Sequence, residues 1–184
     1  MPWQNDVAQT QPNDPPAVRV AVSADAAAVA AIYNHYVDLG GSTMDQQHWS
    51  DGQVRKWMHS LTNREALLVV DRGGTVEGWG ALKRYSERAG YQACCEESLF
   101  VAPQATGRGI GKCLMDALIT RCQEFGYHHV VAKICADNLN SIEFHLRNGF
   151  EIVGTQREIG FEKGRWVDVA ILQRILADVP IPSD

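Results

Sequence analysis

The order of elements legible along the chain, β-α-α-β-β-β-α-β-α-β-β, predicts an α/β fold: one mixed sheet of seven strands with four helices on its faces. Three observations carry that expectation. Residues 94–125 read as a strand, a glycine-rich turn and an amphipathic helix in immediate succession. Residues 66–70 and 75–83 are apolar runs joined by D-R-G-G-T, the signature of a hairpin. Two closing strands, around 150–159 and 166–173, follow a short helix that ends at Gly149.

The elements are justified in order as follows. Residues 1–17 are polar, carry four prolines and are expected to form a loose arm. Val18 to Val22 alternates as a strand. Ser23 or Asp25 then caps a helix through Asp38, with Ala27, Ala30, Ala31, Asn34 and Val37 near one face and Gly40-Gly41 as its stop. A second helix over 50–61 places Val54, Trp57 and Leu61 at three- and four-residue spacing. After the hairpin, the polar segment 84–92 leads into the central strand. His129 to Ile134 reads as a buried strand and Ser141 to Asn148 as a short helix. A single domain over 18–176 is expected, with 177–184 as a tail.

Composition narrows the function. At 184 residues, 45% hydrophobic and 21% charged, the chain is long enough to bury a substantial core. A net charge of −5 without a basic run argues against a nucleic-acid partner. No apolar run approaches the ~20 residues that span a bilayer, and the first residues lack a secretory pattern, so a cytoplasmic protein off the membrane is expected. The five cysteines form no C-x-x-C and lie mostly in apolar segments. They are read as reduced, buried small hydrophobes, and no metal site is expected.

The glycine-rich turn is where chemistry enters. Gly107, Gly109 and Gly111 precede an apolar series at Ile110, Leu114, Ala117, Leu118 and Phe125. Glycines admit close approach of a bulky anion, and the helix start presents unpaired N–H groups and the positive dipole end. A phosphate or pyrophosphate is the natural guest; a plain tight turn is the alternative. A Walker-type loop lacks its lysine here, and G-x-G-x-x-G fails because Leu114 stands at the third glycine.

V-A-P-Q-A-T-G-R-G-I-G (101–111) with its helix resembles motif A of the GCN5-related N-acetyltransferases. The resemblance implies the mostly antiparallel sheet of that fold and a turn, Thr106 to Gly111, that holds the pyrophosphate of acetyl-CoA. Thr106 stands where the family usually has Gln or Arg, with Arg108 as a nearby charge. A-D-N-L-N-S-I-E-F-H-L-R-N-G-F (136–150) resembles the family's motif B, N-x-x-S-I-x-x-[YH]-x-x-x-G-F. It implies that Asn138 bonds the pantetheine arm and that Ser141 caps the short helix near the same arm. N-x-x-S is also a sound helix start without a ligand.

Within the family, A-I-Y-N-H-Y-V (31–37), S-T (42–43), R-A-G-Y-Q-A-C-C-E-E-S-L-F-V (88–101) and G-F-E-K-G-R-W-V-D-V (160–169) resemble the phosphinothricin and methionine-sulfoximine acetyltransferases. That likeness implies an acetyl-CoA-dependent N-acetyltransferase for a small amino-acid-like amine, by direct attack. A polyamine, aminoglycoside or peptide amine is the alternative, as is an acyl-CoA-binding module without turnover. Glu96 aligns with the branch's catalytic base. Because Glu96 and Glu97 are adjacent on a strand they face opposite ways, so only one fills the role, with Glu97 as fallback. Backbone N–H groups near Phe100 and Val101 are implied as oxyanion donors. His145 is implied as the acid for the departing thiolate, and a packed core histidine is the alternative.

Arg88 and Tyr91 match the R-x-A-Y of the branch, which resembles a carboxylate-binding element; a surface arginine on a loop is the alternative. His35 and Tyr36 are candidates for the same pocket or for packing. Met44, Asp45 and Gln46 depart from the branch, which has an apolar residue, Asn and an aromatic there. Homodimers formed through the closing strands are common in the family, and a homodimer is expected here.

Overall fold

The computed structural model describes residues 16–177 and Val179. The arm expected over 1–17 lies outside the described residues except for its last two, and Ala17 already opens the first strand; most of the 177–184 tail also lies outside. The elements run β1 (Ala17–Val20), α1 (Ala26–Leu39), α2 (Asp51–Ser60), β2 (Ala66–Arg72), β3 (Thr75–Arg84), β4 (Cys94–Val101), α3 (Ile110–Glu124), β5 (His129–Cys135), α4 (Leu139–Arg147), β6 (Glu151–Glu162) and β7 (Arg165–Ile175). They build one seven-stranded sheet in the order β1-β2-β3-β4-β5-β7-β6. All neighbours are antiparallel except β4 and β5.

Local chemistry accounts for the elements. The β2–β3 hairpin turns on Gly73 and Gly74, both at positive φ (57° and 81°), which L-residues disfavour. Ser50 caps α2 by accepting from Gln53 N, and the Gln53 side chain returns the bond to Ser50 N. The helix α1 opens through a 3₁₀ turn over Ser23–Asp25, where Asp25 is buried and held by Arg19 at 2.7 Å.

The buried face of α1 is rotated from the expected stripe. Ala26, Val29, Ala30, Ile32, Tyr33 and Val37 are buried, whereas Ala27 and Ala31 are exposed. The reason is tertiary. Tyr33 sits in an aromatic cluster, 4.8 Å from Trp49, 5.8 Å from Trp79 and 5.1 Å edge-on from Phe100 between ring centroids. A small-residue count along the helix cannot anticipate which side meets those rings.

The two faces of the sheet are divided by pleat alternation. Trp79 of β3 meets Tyr33 and Trp57 on the α1/α2 face. Gly78 and Gly80 turn toward α3, where an added Cβ would stand 3.0 Å from Ile110 Cγ2 and 2.9 Å from Leu118 Cδ1. Those glycines let α3 lie close on the sheet, and Leu114, Met115 and Leu118 are fully buried beneath it. The five cysteines are free. Cys95 and Cys122 meet at 3.6 Å between sulfurs inside this layer, and burial pushes the Cys94 thiol up to about 11.

Candidate active site

The parallel pairing of β4 with β5 covers only Cys94↔His129, Cys95↔Val130 and Glu96↔Val131. Beyond Glu96 the two strands diverge, while β4 stays paired to β3 through Val101↔Gly78. An antiparallel ladder commits alternate residues to each side. Tyr85 N bonds Cys94 O and Ala102 N bonds Glu77 O, so the even-numbered residues of β4 face β3. The N–H and C=O groups of Leu99 and Val101 therefore face the opened edge. Tyr36 confirms the direction: its hydroxyl donates to Val101 O at 2.6 Å, and burial raises its pKa. Phe100, expected to offer its backbone N–H, spends it on the β3 side and instead packs its ring on Trp79 at 4.7 Å.

The divergence opens a cavity of about 740 Å³ that passes through the sheet. Tyr36 and Leu39 line it from α1, and Phe144 and His145 from α4 on the opposite face. One end is the start of α3, with Thr106, Gly107, Gly109, Ile110, Gly111 and Lys112. Gly109 caps that helix in the left-handed conformation (φ 82°, ψ 0°) and supplies no side-chain cap. The first intrahelical bond is Cys113 N to Gly109 O, so the N–H groups of Ile110, Gly111 and Lys112 have no helical acceptor. A Cβ on Gly111 would meet the Phe144 ring at 3.4 Å. This cradle fits an anionic diphosphate.

Not every residue expected in the turn faces it. Thr106 Oγ1 donates to Pro103 O at 2.9 Å, an internal turn contact. Arg108 does not line the cavity and pairs at 3.0 Å with Glu77, a buried carboxylate that also binds Arg72 at 3.0 Å. Its charge is therefore already compensated.

Asn138 and Ser141 line the cavity. Asn138 Oδ1 accepts from Ser141 N at 3.2 Å and caps α4, while its Nδ2 donates to Ser42 Oγ at 3.4 Å. The two adjacent glutamates separate as the pleat requires. Glu96 turns to the α1/α2 side and pairs with Lys133 at 2.6 Å; it does not line the cavity, although Lys133 does. Glu97, only 3% exposed, lines the cavity and meets His145 Nε2 through Oε1 at 2.6 Å. Its Oε2 is buried without a partner among the described residues.

His145 is buried, and both ring nitrogens are engaged. Nδ1 lies 2.7 Å from Ser141 O, and a carbonyl only accepts, so Nδ1 carries a hydrogen. The Glu97 contact then holds one further shared proton. Burial opposes charge on the ring, but the Glu97 hydrogen bond and charge, with the Ser141 carbonyl, outweigh it and raise the His145 pKa. The ring has no idle nitrogen for direct delivery of a proton; the partnerless oxygen of the pair belongs to Glu97.

The expected substrate residues are dispersed. His35 is exposed and stacks edge-on with Tyr36 at 5.2 Å, away from the cavity lining. Arg88 and Tyr91 lie on an exposed 3₁₀ turn, and neither lines the cavity. Tyr91 packs on Tyr85 at 5.6 Å, and Lys133 Nζ sits 5.6 Å from the Tyr85 ring centroid. Asp45 is consumed in structure, accepting from Tyr33 at 2.7 Å and Trp49 at 3.1 Å. Gln46 donates to Phe161 O. Lys133 was missed; it was hidden as a lone charge in an apolar strand, V-V-A-K-I-C, and only the divergence of β4 from β5 exposes it. Among the described residues no three His, Cys, Asp or Glu side chains cluster as a metal site, and no helix is long and apolar enough to cross a membrane.

Residues 29–150 match the acetyltransferase (GNAT) family model. The chain is 31% identical over 170 residues to a phosphinothricin N-acetyltransferase of Alcaligenes faecalis, covering 90% of this chain and 86% of that one. It is 32% identical over 166 residues to an L-methionine sulfoximine/L-methionine sulfone acetyltransferase of Pseudomonas paraeruginosa, covering 85% and 92%. The crystal structure of a phosphinothricin acetyltransferase from Sinorhizobium meliloti in complex with acetyl-CoA superposes with a TM-score of 0.85 at 31% identity, covering 92% of this chain and 94% of that one.

Proposed function

Since the chain belongs to the GNAT family of acetyltransferases, we propose that it transfers an acetyl group from acetyl-CoA to the amine of a small amino-acid-like substrate. The carrying observation is the cavity lined from both faces of the sheet, which has an anion cradle at one end and, on its α1/α2 side, Lys133, the ion-pair partner of Glu96. Bound acetyl-CoA supplies an activated thioester. The Thr106–Gly111 turn and the N–H groups of Ile110, Gly111 and Lys112 hold its diphosphate, and Asn138 and Ser141 border its arm. Leu99 and Val101 offer backbone N–H groups where negative charge develops on the carbonyl oxygen.

Glu96, on the α1/α2 face, accepts the proton that an aliphatic ammonium must lose before it can attack. Lys133 pairs with it at 2.6 Å. On the other face the Glu97–His145 pair, at the wall of the cavity, holds one shared proton between His145 Nε2 and Glu97 Oε1, and that proton is the one available there to the departing thiolate. Direct transfer between the two bound substrates follows from this two-sided arrangement. The exposed apolar side chains of the closing strands, Ile152, Val153, Ile159, Phe161 and Trp166, support a homodimer, which light scattering tests.

The test is thiol release from acetyl-CoA with methionine sulfone, methionine sulfoximine, phosphinothricin, common amino acids, spermidine and an aminoglycoside, with Glu96→Gln alongside. Turnover of the amino-acid group, lost by about 10²–10⁴-fold in Glu96→Gln, supports the reading. Turnover of the cationic amines alone overturns the substrate class. Tight acetyl-CoA binding without turnover overturns the transferase.

A further inference from the structure

Resting on the transferase reading above, we infer that Lys133 and Glu96 together form a subsite for a zwitterion, in which Lys133 binds the substrate's carboxylate while Glu96 takes its ammonium. Lys133 lies two residues past the last β4–β5 rung, Glu96↔Val131, where the strands have parted. Its Nζ stands 2.6 Å from Glu96 Oε2, and both side chains remain open to solvent, at 45% and 33% of their surface. Tyr85 under the ammonium and Tyr91 against Tyr85 wall the same side.

The other cations near the site are placed differently. Lys112, also on the cavity, is tied to both oxygens of Asp116 at 2.5 Å on α3. Arg108 is held by Glu77. Arg88, the sequence's candidate for the carboxylate, does not line the cavity, and neither does Lys83, which stands opposite Glu96 on β3 and reaches over the Trp57 ring at 5.1 Å. Lys133 is thus the cation that joins the cavity to the candidate base.

An α-amino acid carries its ammonium and carboxylate on one carbon, so it can meet both members of the pair at once. A half-exposed lysine–glutamate pair is weakly held because solvent screens it, so a zwitterion can part it and satisfy both charges again. A di- or polyamine has no such match: with one ammonium on Glu96, it brings positive charge toward Lys133, and like charges disfavour that complex. The pair therefore selects amino acids over amines of pure positive charge.

The experiment compares kcat/KM for methionine sulfone and for its α-carboxamide, which keeps the amine and loses the negative charge, in the full-length chain and its variants. Lys133 touches Glu96, and the carboxamide's amine is the less basic of the two. Both kcat/KM values are therefore taken from full pH profiles, and the acid-to-amide ratio is formed from their pH-independent limits, where both amines are neutral. In Lys133→Met the ratio is expected to fall by about ten- to a hundredfold, the range that a charge-assisted hydrogen bond commands. Lys133→Glu drops it further, and Lys133→Arg preserves it. Both substrates turned over with an unchanged ratio in Lys133→Met overturns the subsite and leaves acetyl transfer standing. The same is true if Arg88→Ala lowers the ratio instead. Absence of turnover with every amine overturns this inference together with the transferase on which it rests.

Discussion

His145 Nε2 and Glu97 Oε1 are 2.6 Å apart in a buried pair that joins α4 to β4 at the wall of the cavity. The pair spans 48 positions of sequence and ties the motif B helix to the strand that opens the sheet.

The first prediction concerns its protonation. The His145 pKa in the folded chain is raised above 6.5, because the Glu97 and Ser141 partners outweigh burial. A raised histidine contributes stability that is fully present below the unfolded value and is lost as pH rises through the folded one. Nuclear magnetic resonance titration should find the His145 ring charged above its ordinary range. In Glu97→Gln the carboxylate charge is gone and burial remains, so the titration should move below that range. The stability gap between the two proteins should then narrow as pH rises from 6 toward 9. A ring that titrates identically in both proteins would falsify the shared-proton description.

The turn before α3 gives the second. Gly109 has φ 82° with open space where a Cβ would stand, so Gly109→Ala meets strain but no clash. The left-handed conformation costs a non-glycine residue about 1–2 kcal/mol. Denaturant melts should show that loss, and the KM for acetyl-CoA should rise because the cradle relaxes away from its strained shape. A variant that keeps full stability and KM contradicts the role of this backbone geometry.

Arg108 gives the third, and it runs against the motif. Its guanidinium is engaged by Glu77 and is about half exposed, so Arg108→Ala should change the acetyl-CoA KM by less than about threefold, within the small range of screened surface charges. The effect should fall on stability instead, about 1 kcal/mol, since buried Glu77 would keep only Arg72. A large KM effect with unchanged stability would assign Arg108 to the diphosphate.

Tyr33 gives the fourth. Its hydroxyl meets Thr43 at 2.6 Å and Asp45 at 2.7 Å, and burial keeps it protonated far above the usual phenol range. Tyr33→Phe keeps the aromatic cluster but removes the donor, and should cost about 1–2 kcal/mol in denaturant melts. Specificity among amines should stay unchanged, because Asp45 lies outside the cavity lining. A shift in the substrate profile would return Asp45 to the pocket.

What was legible in the residues, and what was not, follows from the range of the forces involved. Periodicity and glycine placement act within a few positions, so the element order and the Gly109 turn could be read directly from the chain. By contrast, α4 starts at Leu139 and not at Ser141, because the cap is Asn138, whose side chain accepts from Ser141 N. Alternation on β4 likewise required Glu96 and Glu97 to part, whatever lay beyond them. The partner each would find was another matter. Glu97 met a histidine 48 positions away and Glu96 a lysine from β5, because the parallel rungs end at Glu96↔Val131 and the sheet opens there. The same distance effect took Arg108 to Glu77 and Asp45 to Tyr33, and left Arg88 outside the cavity. Hydrogen bonds and ion pairs form between groups the fold brings within about 3 Å, and sequence spacing carries no such distance once two strands are separated by a helix.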